Sequence, residues 1–227
     1  MVTAATGREL LMKKSTRAYA GAGSALLLAS AVMAGTLGTA DAHTSSHRTS
    51  GVHLHAHLNP LNNSGTRGNS HVVFHGRHAH VDIDAYGLAR NLPHAEHIHF
   101  GADARHECPS VFDDANGDFR LTTTDGAPAY GPIKKSLTTK GDTSPASALA
   151  VDRFPTAPRG AIHYDRSINF NSAAVARAIK HGKGVIVIHG IDYNSNGKYD
   201  FASAGKSDLD PSLPAEATDP ALCGVLR

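Results

Sequence analysis

Alternation of apolar and polar residues is the strongest pattern in the chain. The stretch VHLHAHL over 52–58 alternates apolar side chains with histidines, and RHAHVDIDAY over 77–86 alternates them with histidines and aspartates. Because successive side chains of a β-strand point to opposite faces, both stretches predict half-buried antiparallel strands. The turn-rich NPLNNSGTRGNS between them, residues 59–70, predicts either a hairpin-type connection or a strand broken by a loop.

Further strand-forming stretches follow, and the last of them is a buried run rich in β-branched residues. They are EHIHF (96–100), RLTTT (120–124), AIHYDRSINF (161–170) and GVIVIHGI (184–191). One helix is predicted over 173–181, with Asn171 or Ser172 as its cap and Gly182 as its stop. The proline-rich stretch 126–160 predicts a long loop. Together these elements predict an all-β fold, an antiparallel Greek-key β-sandwich or flattened barrel with one short helix and long loops.

The first 42 residues have the pattern of a secretory signal peptide. Lys13, Lys14 and Arg17 form a basic region before the apolar run SALLLASAVMAGTL, and the small-residue sequence ADA ends the segment at 40–42. The apolar run is shorter than the ~20 residues of a membrane-spanning helix, so we expect export with cleavage before His43 rather than a permanent anchor. Residues 43–51 are polar and predict a disordered, histidine-containing N-terminus. Residues 52–227 then form a single β-sandwich domain.

Composition and charge narrow the classes of function. The 227 residues, 41% of them hydrophobic, are enough for one domain with a sizeable core. Loss of residues 1–42 removes four basic and two acidic residues and so turns a formal net charge of +2 into zero. With no basic run and no aromatic stripe, this balance argues against nucleic-acid binding. All 16 histidines follow residue 42, so the exported part would become positively charged in mildly acidic surroundings.

The chain has two cysteines, Cys108 and Cys223. An even number of cysteines in an exported chain favours a disulfide. That bond would close a long loop, and the loop-closure entropy amounts to about 4 to 5 kcal/mol. Two buried free thiols are the alternative.

Candidate metal chemistry is concentrated in HAEHIHFGADARHEC, residues 94–108. His97 and His99 point to the same side of the predicted strand, with roughly 7 Å between their Cα atoms, so both imidazoles can reach one metal ion. His189 ends the buried strand GVIVIH and is a third candidate ligand, although a hydrogen-bonded core histidine would give the same pattern. The local pattern alone leaves a metal site and a histidine-rich patch both open.

Four short motifs resemble, in the same order, the copper/zinc superoxide dismutase-like fold family. They are HAEHIHFG, the later Cys108, VIVIHGID and the terminal LCGVL, within a resemblance that runs from about residue 65 to the C-terminus. The resemblance implies copper ligands at His97, His99 and His189 and a disulfide between Cys108 and Cys223. The helix SAAVARAIKHGKG, leading straight into the strand that ends in histidine, resembles the related chordin-type (CHRD) domain.

The chain also departs from the dismutase pattern. The loop PSVFDDANGDFRLTTTDG contains no histidine to match the bridging and zinc-site histidines, and EATDPALC contains no arginine before Cys223. His94, His106 and His163 are candidates for a fourth nitrogen. We therefore expect a secreted copper-binding protein in which any superoxide dismutase activity is weak. A non-catalytic CHRD-like binding or structural domain of the cell envelope or extracellular matrix is the alternative.

A second metal site is suggested by DYNSNGKYD, which matches the first half of a calcium loop. The candidate calcium ligands are Asp192, Asn194, Asn196, the Lys198 carbonyl and Asp200. Ser203 stands where a calcium loop carries a glutamate, so another segment has to close the site. The poorer copy DDANGD at 113–118 is a candidate for that closure. For each stretch, a turn rich in Asn, Asp and Gly that needs no metal is the alternative.

The remaining histidines lie on the polar sides of the first two predicted strands. If those strands pair, opposite side chains lie about 5 Å apart and could form an external ladder that binds zinc, copper or nickel. Its members would be His53, His55, His57, His78 and His80. A solvated strand face that merely uses histidine is the alternative.

Overall fold

The alternating segments form the strands of one antiparallel sheet in a computed structural model, which describes residues 50–227. The strands are β1 (Val52–Pro60), β2 (Arg67–His75), β3 (His78–Tyr86), β4 (Glu96–His99), β5 (Ile133–Ser136), β6 (Ala161–Asn169), β7 (Val185–His189) and β8 (Pro220–Val225). The signal peptide predicted at 1–42 and most of the N-terminal segment predicted at 43–51 lie outside the described residues. No helix from residue 50 onwards is both long and apolar enough to cross a membrane.

The sheet curls on itself around one main core. Its strand order is β5-β4-β7-β8-β1-β2-β3-β6, and β1 pairs first with β2 and then, at Asn59 and Pro60, with β8. Apolar side chains from both halves of the sheet meet in the same cluster, among them Leu54, Val81 and Ile188. The predicted all-β antiparallel flattened barrel is therefore confirmed.

Side-chain hydrogen bonds join the two edges of the curled sheet. Tyr164 on β6 donates its hydroxyl hydrogen to the Thr138 carbonyl oxygen, which follows β5, at 3.3 Å. Arg166 on β6 donates to the carbonyl oxygens of Thr138 and Gly141, at 2.5 and 2.6 Å. These bonds hold the edge strands β5 and β6 near each other where the backbone ladder is interrupted.

The prediction of a turn-rich connection over 59–70 is wrong for residues 67–70, because these residues begin strand β2. Ser70, Val72 and Phe74 alternate inward on β2 and are buried, while the turn itself lies between β1 and Arg67. Because β2 lies between β1 and β3 and pairs with both, the predicted strands 52–58 and 77–86 do not pair with each other. The polar residues at the start of β2 had concealed this alternation.

The prediction of a strand at RLTTT (120–124) is also wrong, because this segment contains no strand. Thr122 instead caps helix α1 (Thr123–Tyr130), with its side chain and that of Asp125 forming a capping box. Threonine favours strands inside a sheet, but at a helix start its hydroxyl satisfies a free backbone N–H. The helix predicted over 173–181 is confirmed as α2 (Ala173–Ala178), capped by Ser172 and continued by a wider turn. A third helix, α3 (Ala215–Thr218), precedes β8, so the described chain has more than one short helix.

Candidate metal centre

Adjacent strands bring three histidines together on one side of the sheet. β4 and β7 are antiparallel neighbours, with His97 opposite Val187 and His99 opposite Val185, and His189 ends β7. All three imidazoles are buried. One nitrogen from each ring lies within 4.8 Å of the corresponding nitrogens of the other two, so the group could hold a metal ion. The sequence had named these three residues from strand alternation and motif resemblance.

Each of the three rings uses one nitrogen to bind a backbone carbonyl. The pairs are His97 Nε2 with the Ala148 oxygen at 3.1 Å, His99 Nδ1 with the Gly131 oxygen at 2.7 Å, and His189 Nδ1 with the Thr218 oxygen at 2.6 Å. Because a carbonyl oxygen can only accept, these nitrogens carry the protons and the other nitrogen of each neutral ring keeps a lone pair. Those other nitrogens are buried and have no hydrogen-bond partner. Three unpartnered lone pairs in one buried site fit the donor set of a metal centre, with carbonyls fixing the ring orientations.

Burial also keeps the three rings neutral. Loss of solvation lowers the pKa of His99 to about 3 and that of His189 to about 4. The pKa of His97 is lowered well below its ordinary value, first by burial and then by its two histidine neighbours. At pH 7 the rings therefore need not lose a proton before they bind a metal ion.

A small cavity of about 30 Å³ adjoins the three histidines. Its walls are largely apolar and include Leu149, Val151, Leu209 and Leu213, which come from the loops after β5 and before α3. Space of this size suits an ion or one or two waters rather than an organic ligand. A larger cavity of about 350 Å³ lies beside Arg90 and Asp192 and includes none of the three histidines.

The candidates for a fourth nitrogen lie outside this group. His94 is buried, but its two ring nitrogens lie 2.8 Å from the His189 carbonyl oxygen and 3.1 Å from that of Ala89, so it supports the backbone at the end of β7. His163 is exposed on β6 and contacts Asp84 at 2.9 Å, and His106 stacks on Phe100. Within the described residues, the metal-capable group contains three histidines.

The disulfide predicted between Cys108 and Cys223 is present, with Cα atoms 5.7 Å apart. Cys223 is fully buried on β8 and lies opposite Val187 of β7. The bond therefore ties the loop between β4 and α1 to the strand that neighbours β7, which carries His189.

The candidate calcium ligands lie in one loop directly after β7. In this structure the Asp192 carboxylate accepts hydrogen bonds from the backbone N–H groups of Asn196 and Gly197. The side-chain oxygen of Asn196 accepts one from the backbone N–H of Lys198. The buried Glu216 of α3 accepts the backbone N–H groups of Tyr193 and Asp200 at 3.1 and 2.8 Å and also a hydrogen bond from Ser203. Glu216 thus places a buried carboxylate against the loop, where its two oxygens accept hydrogen bonds from the loop. Sequence reasoning missed it because it lies in a separate segment with no local signal.

Fold and site together define an all-β protein with a buried three-histidine group that could hold a metal ion. Comparison of the chain with models of known protein families gave no match, and comparison with curated proteins gave none of significance. The superoxide dismutase-like and CHRD-like resemblance therefore stays a prediction from the sequence motifs.

Proposed function

We propose that the protein is a secreted copper-binding protein of the superoxide dismutase-like group, with weak redox activity at most. The observation that carries this proposal is the set of three neutral, buried imidazole nitrogens that have no hydrogen-bond partner. The disulfide and the signal-like segment support secretion, because disulfides persist mainly in oxidising compartments.

The donor chemistry favours copper among the ions that imidazole binds. Imidazole suits copper, zinc, nickel and iron, and at a given nitrogen site the affinity of divalent first-row ions is greatest for copper. Bound copper would supply a one-electron redox couple. The chain contributes the three ligands, the carbonyls that orient them and the apolar walls that exclude water.

Weak activity is proposed because the site offers little to an anionic substrate such as superoxide. Neither arginine nor lysine is among the described residues that line the small cavity. Arg120 is not one of those lining residues, and its guanidinium is paired with the buried carboxylate of Asp219 at 2.9 Å. Without a cation at the cavity, electrostatic attraction of superoxide is weak, and we expect a dismutase rate far below the diffusion limit of about 10⁸–10⁹ M⁻¹s⁻¹.

Copper retention tests the proposal. The exported protein is loaded with copper and washed with excess free histidine, which competes for exposed ions. We expect one retained copper per chain in the wild type and none in His99→Ala/His189→Ala. The matched control, His57→Ala/His163→Ala, removes two histidines from exposed strands and should retain the wild-type amount.

Full copper retention in His99→Ala/His189→Ala, with an intact disulfide and a cooperative melt, would overturn the site. Absence of stoichiometric copper from the wild type would favour the alternative, a non-catalytic CHRD-like binding or structural domain. N-terminal sequencing of the exported protein checks secretion independently, since we expect the chain to begin at His43.

A further inference from the structure

Histidines and carboxylates form a grid on the outer surface of β1, β2, β3 and β6, which we call the outer face. Its cross-strand rows are His53–Val73–His80–Ser167, His55–His71–Asp82–Asp165 and His57–Asn69–Asp84–His163. Directly opposite side chains on one face of a sheet lie within about 4.5–5.5 Å of each other at Cβ. The insertion of β2 therefore places His71, which the predicted ladder did not include, at the centre of the imidazoles.

One histidine pair on the outer face already has the nitrogen–nitrogen separation of two ligands of one metal ion. His53 Nδ1 lies 3.1 Å from His71 Nε2, so the two nitrogens share one hydrogen. Metal–imidazole bonds are about 2.0–2.1 Å long, which places two nitrogens of one ion about 2.9–3.4 Å apart in square-planar or tetrahedral geometry. An ion could therefore replace the shared hydrogen without movement of either strand.

A third imidazole lies against this pair. The ring of His55 stacks on that of His71 with centroids 4.4 Å apart and planes 5° from parallel. The His55 side chain is exposed, so its ring can rotate to turn a nitrogen towards the pair.

We propose that His53, His71 and His55 form a second, solvent-exposed site for a transition-metal ion of the zinc class. The site lies on strands other than β4 and β7, so it is separate from the buried histidine group. Its ligands are exposed or half-buried, and water completes the coordination. This site therefore exchanges its ion readily with the solvent, whereas the buried group retains its own.

Calorimetric titration with Zn²⁺ tests the proposal on the full exported chain. We expect His53→Gln/His71→Gln to lose one equivalent of zinc, or to bind that equivalent at least tenfold more weakly. The matched control, His57→Gln/His163→Gln, removes the same number of histidines from the same face and should keep the wild-type isotherm. All four positions lie on the surface, so the variants should melt like the wild type.

Identical isotherms for the wild type and His53→Gln/His71→Gln would overturn the proposal. An equal loss in both double variants would overturn it too, because binding would then be spread over the whole histidine-rich face. The variant His99→Ala/His189→Ala should still bind this zinc equivalent, so the outer site and the buried centre can fail independently.

Discussion

Glu96 is the most unusual buried side chain beside the histidines. It alternates with His97 on β4, so it faces the barrel core with Ile98 rather than the side that carries the three histidines. Its carboxyl group is fully buried, and neither oxygen has a hydrogen-bond partner. Burial raises the pKa of Glu96 well above its ordinary value, because an unpaired carboxylate is costly inside a protein.

Replacing Glu96 with Gln should stabilise the protein at neutral pH. Because the folded pKa is raised, the folded state keeps a proton that the unfolded state releases above its ordinary pKa near 4.5. Wild-type stability is therefore complete at low pH and falls by up to about 1.4 kcal/mol per pH unit as the pH rises towards the folded pKa. Denaturant unfolding of metal-free protein should show Glu96→Gln gaining over the wild type from pH 5 to 8. Parallel pH curves for the two proteins would contradict this expectation.

Gly131 shows how a single backbone position orients a candidate metal ligand. It has a φ of 79°, and its carbonyl oxygen accepts the His99 Nδ1 hydrogen. A Cβ at this position would lie 2.7 Å from the backbone nitrogen of Gly101, so alanine forces the backbone to shift. The ring of His99 would then lose its hydrogen bond to the Gly131 carbonyl oxygen, which fixes the direction of the unpartnered Nε2 atom.

We expect Gly131→Ala to weaken copper binding about 10- to 100-fold, the usual effect of losing a partner that orients a ligand. Chelator competition measures the affinity. Gly117→Ala is the control, since Gly117 also has a positive φ but its Cβ would meet no atom within 4 Å. Equal copper affinity in the two variants would show that the Gly131 carbonyl does not orient His99.

Among the elements, the loop 192–200 carries the calcium prediction. Its side-chain oxygens accept hydrogen bonds from backbone N–H groups of the same loop. Glu216 of α3 accepts another from the loop backbone and so holds the loop against α3. Calcium that replaced those N–H groups would bind the folded state preferentially and so stabilise it. This interpretation stays a prediction, with the metal-free turn as its alternative.

Millimolar calcium should raise the melting temperature of the wild type but not that of Asp192→Ala. Asp210→Ala is the matched control, because Asp210 accepts a backbone N–H hydrogen bond within its own loop, lies outside both candidate calcium segments and should leave the calcium response intact. A wild-type melting temperature that is unchanged by calcium would remove the site.

For the whole molecule, the disulfide is the longest-range covalent constraint. It joins residues 115 positions apart and links the loop before α1 to β8. Closing a loop of this length removes unfolded-state entropy worth about 4 to 5 kcal/mol. We expect Cys108→Ser/Cys223→Ser to lose up to about that much unfolding free energy in denaturant titrations. Reduced wild type should match the variant, and equal stability of the oxidised and variant proteins would contradict the prediction.

Local residue order by itself determined which side chains share a face. Period-two alternation put His97 and His99 on one side of β4, and a chain with two cysteines allows one internal disulfide. The helix cap was likewise narrowed to Asn171 or Ser172, because capping depends on residues two or three positions apart, and Ser172 is the one that caps. These features involve neighbours in the chain, so short-range geometry is sufficient to specify them.

Only the tertiary structure decided which segments meet. The position of β2 between β1 and β3, and with it the central place of His71, depends on sheet pairing that no local pattern encodes. The same holds for the three carbonyls that orient the buried rings, whereas His189 had been grouped with His97 by the motif resemblance and not by a local pattern. Such contacts join residues that are distant in sequence, and the energy that selects them comes from burying the whole core at once.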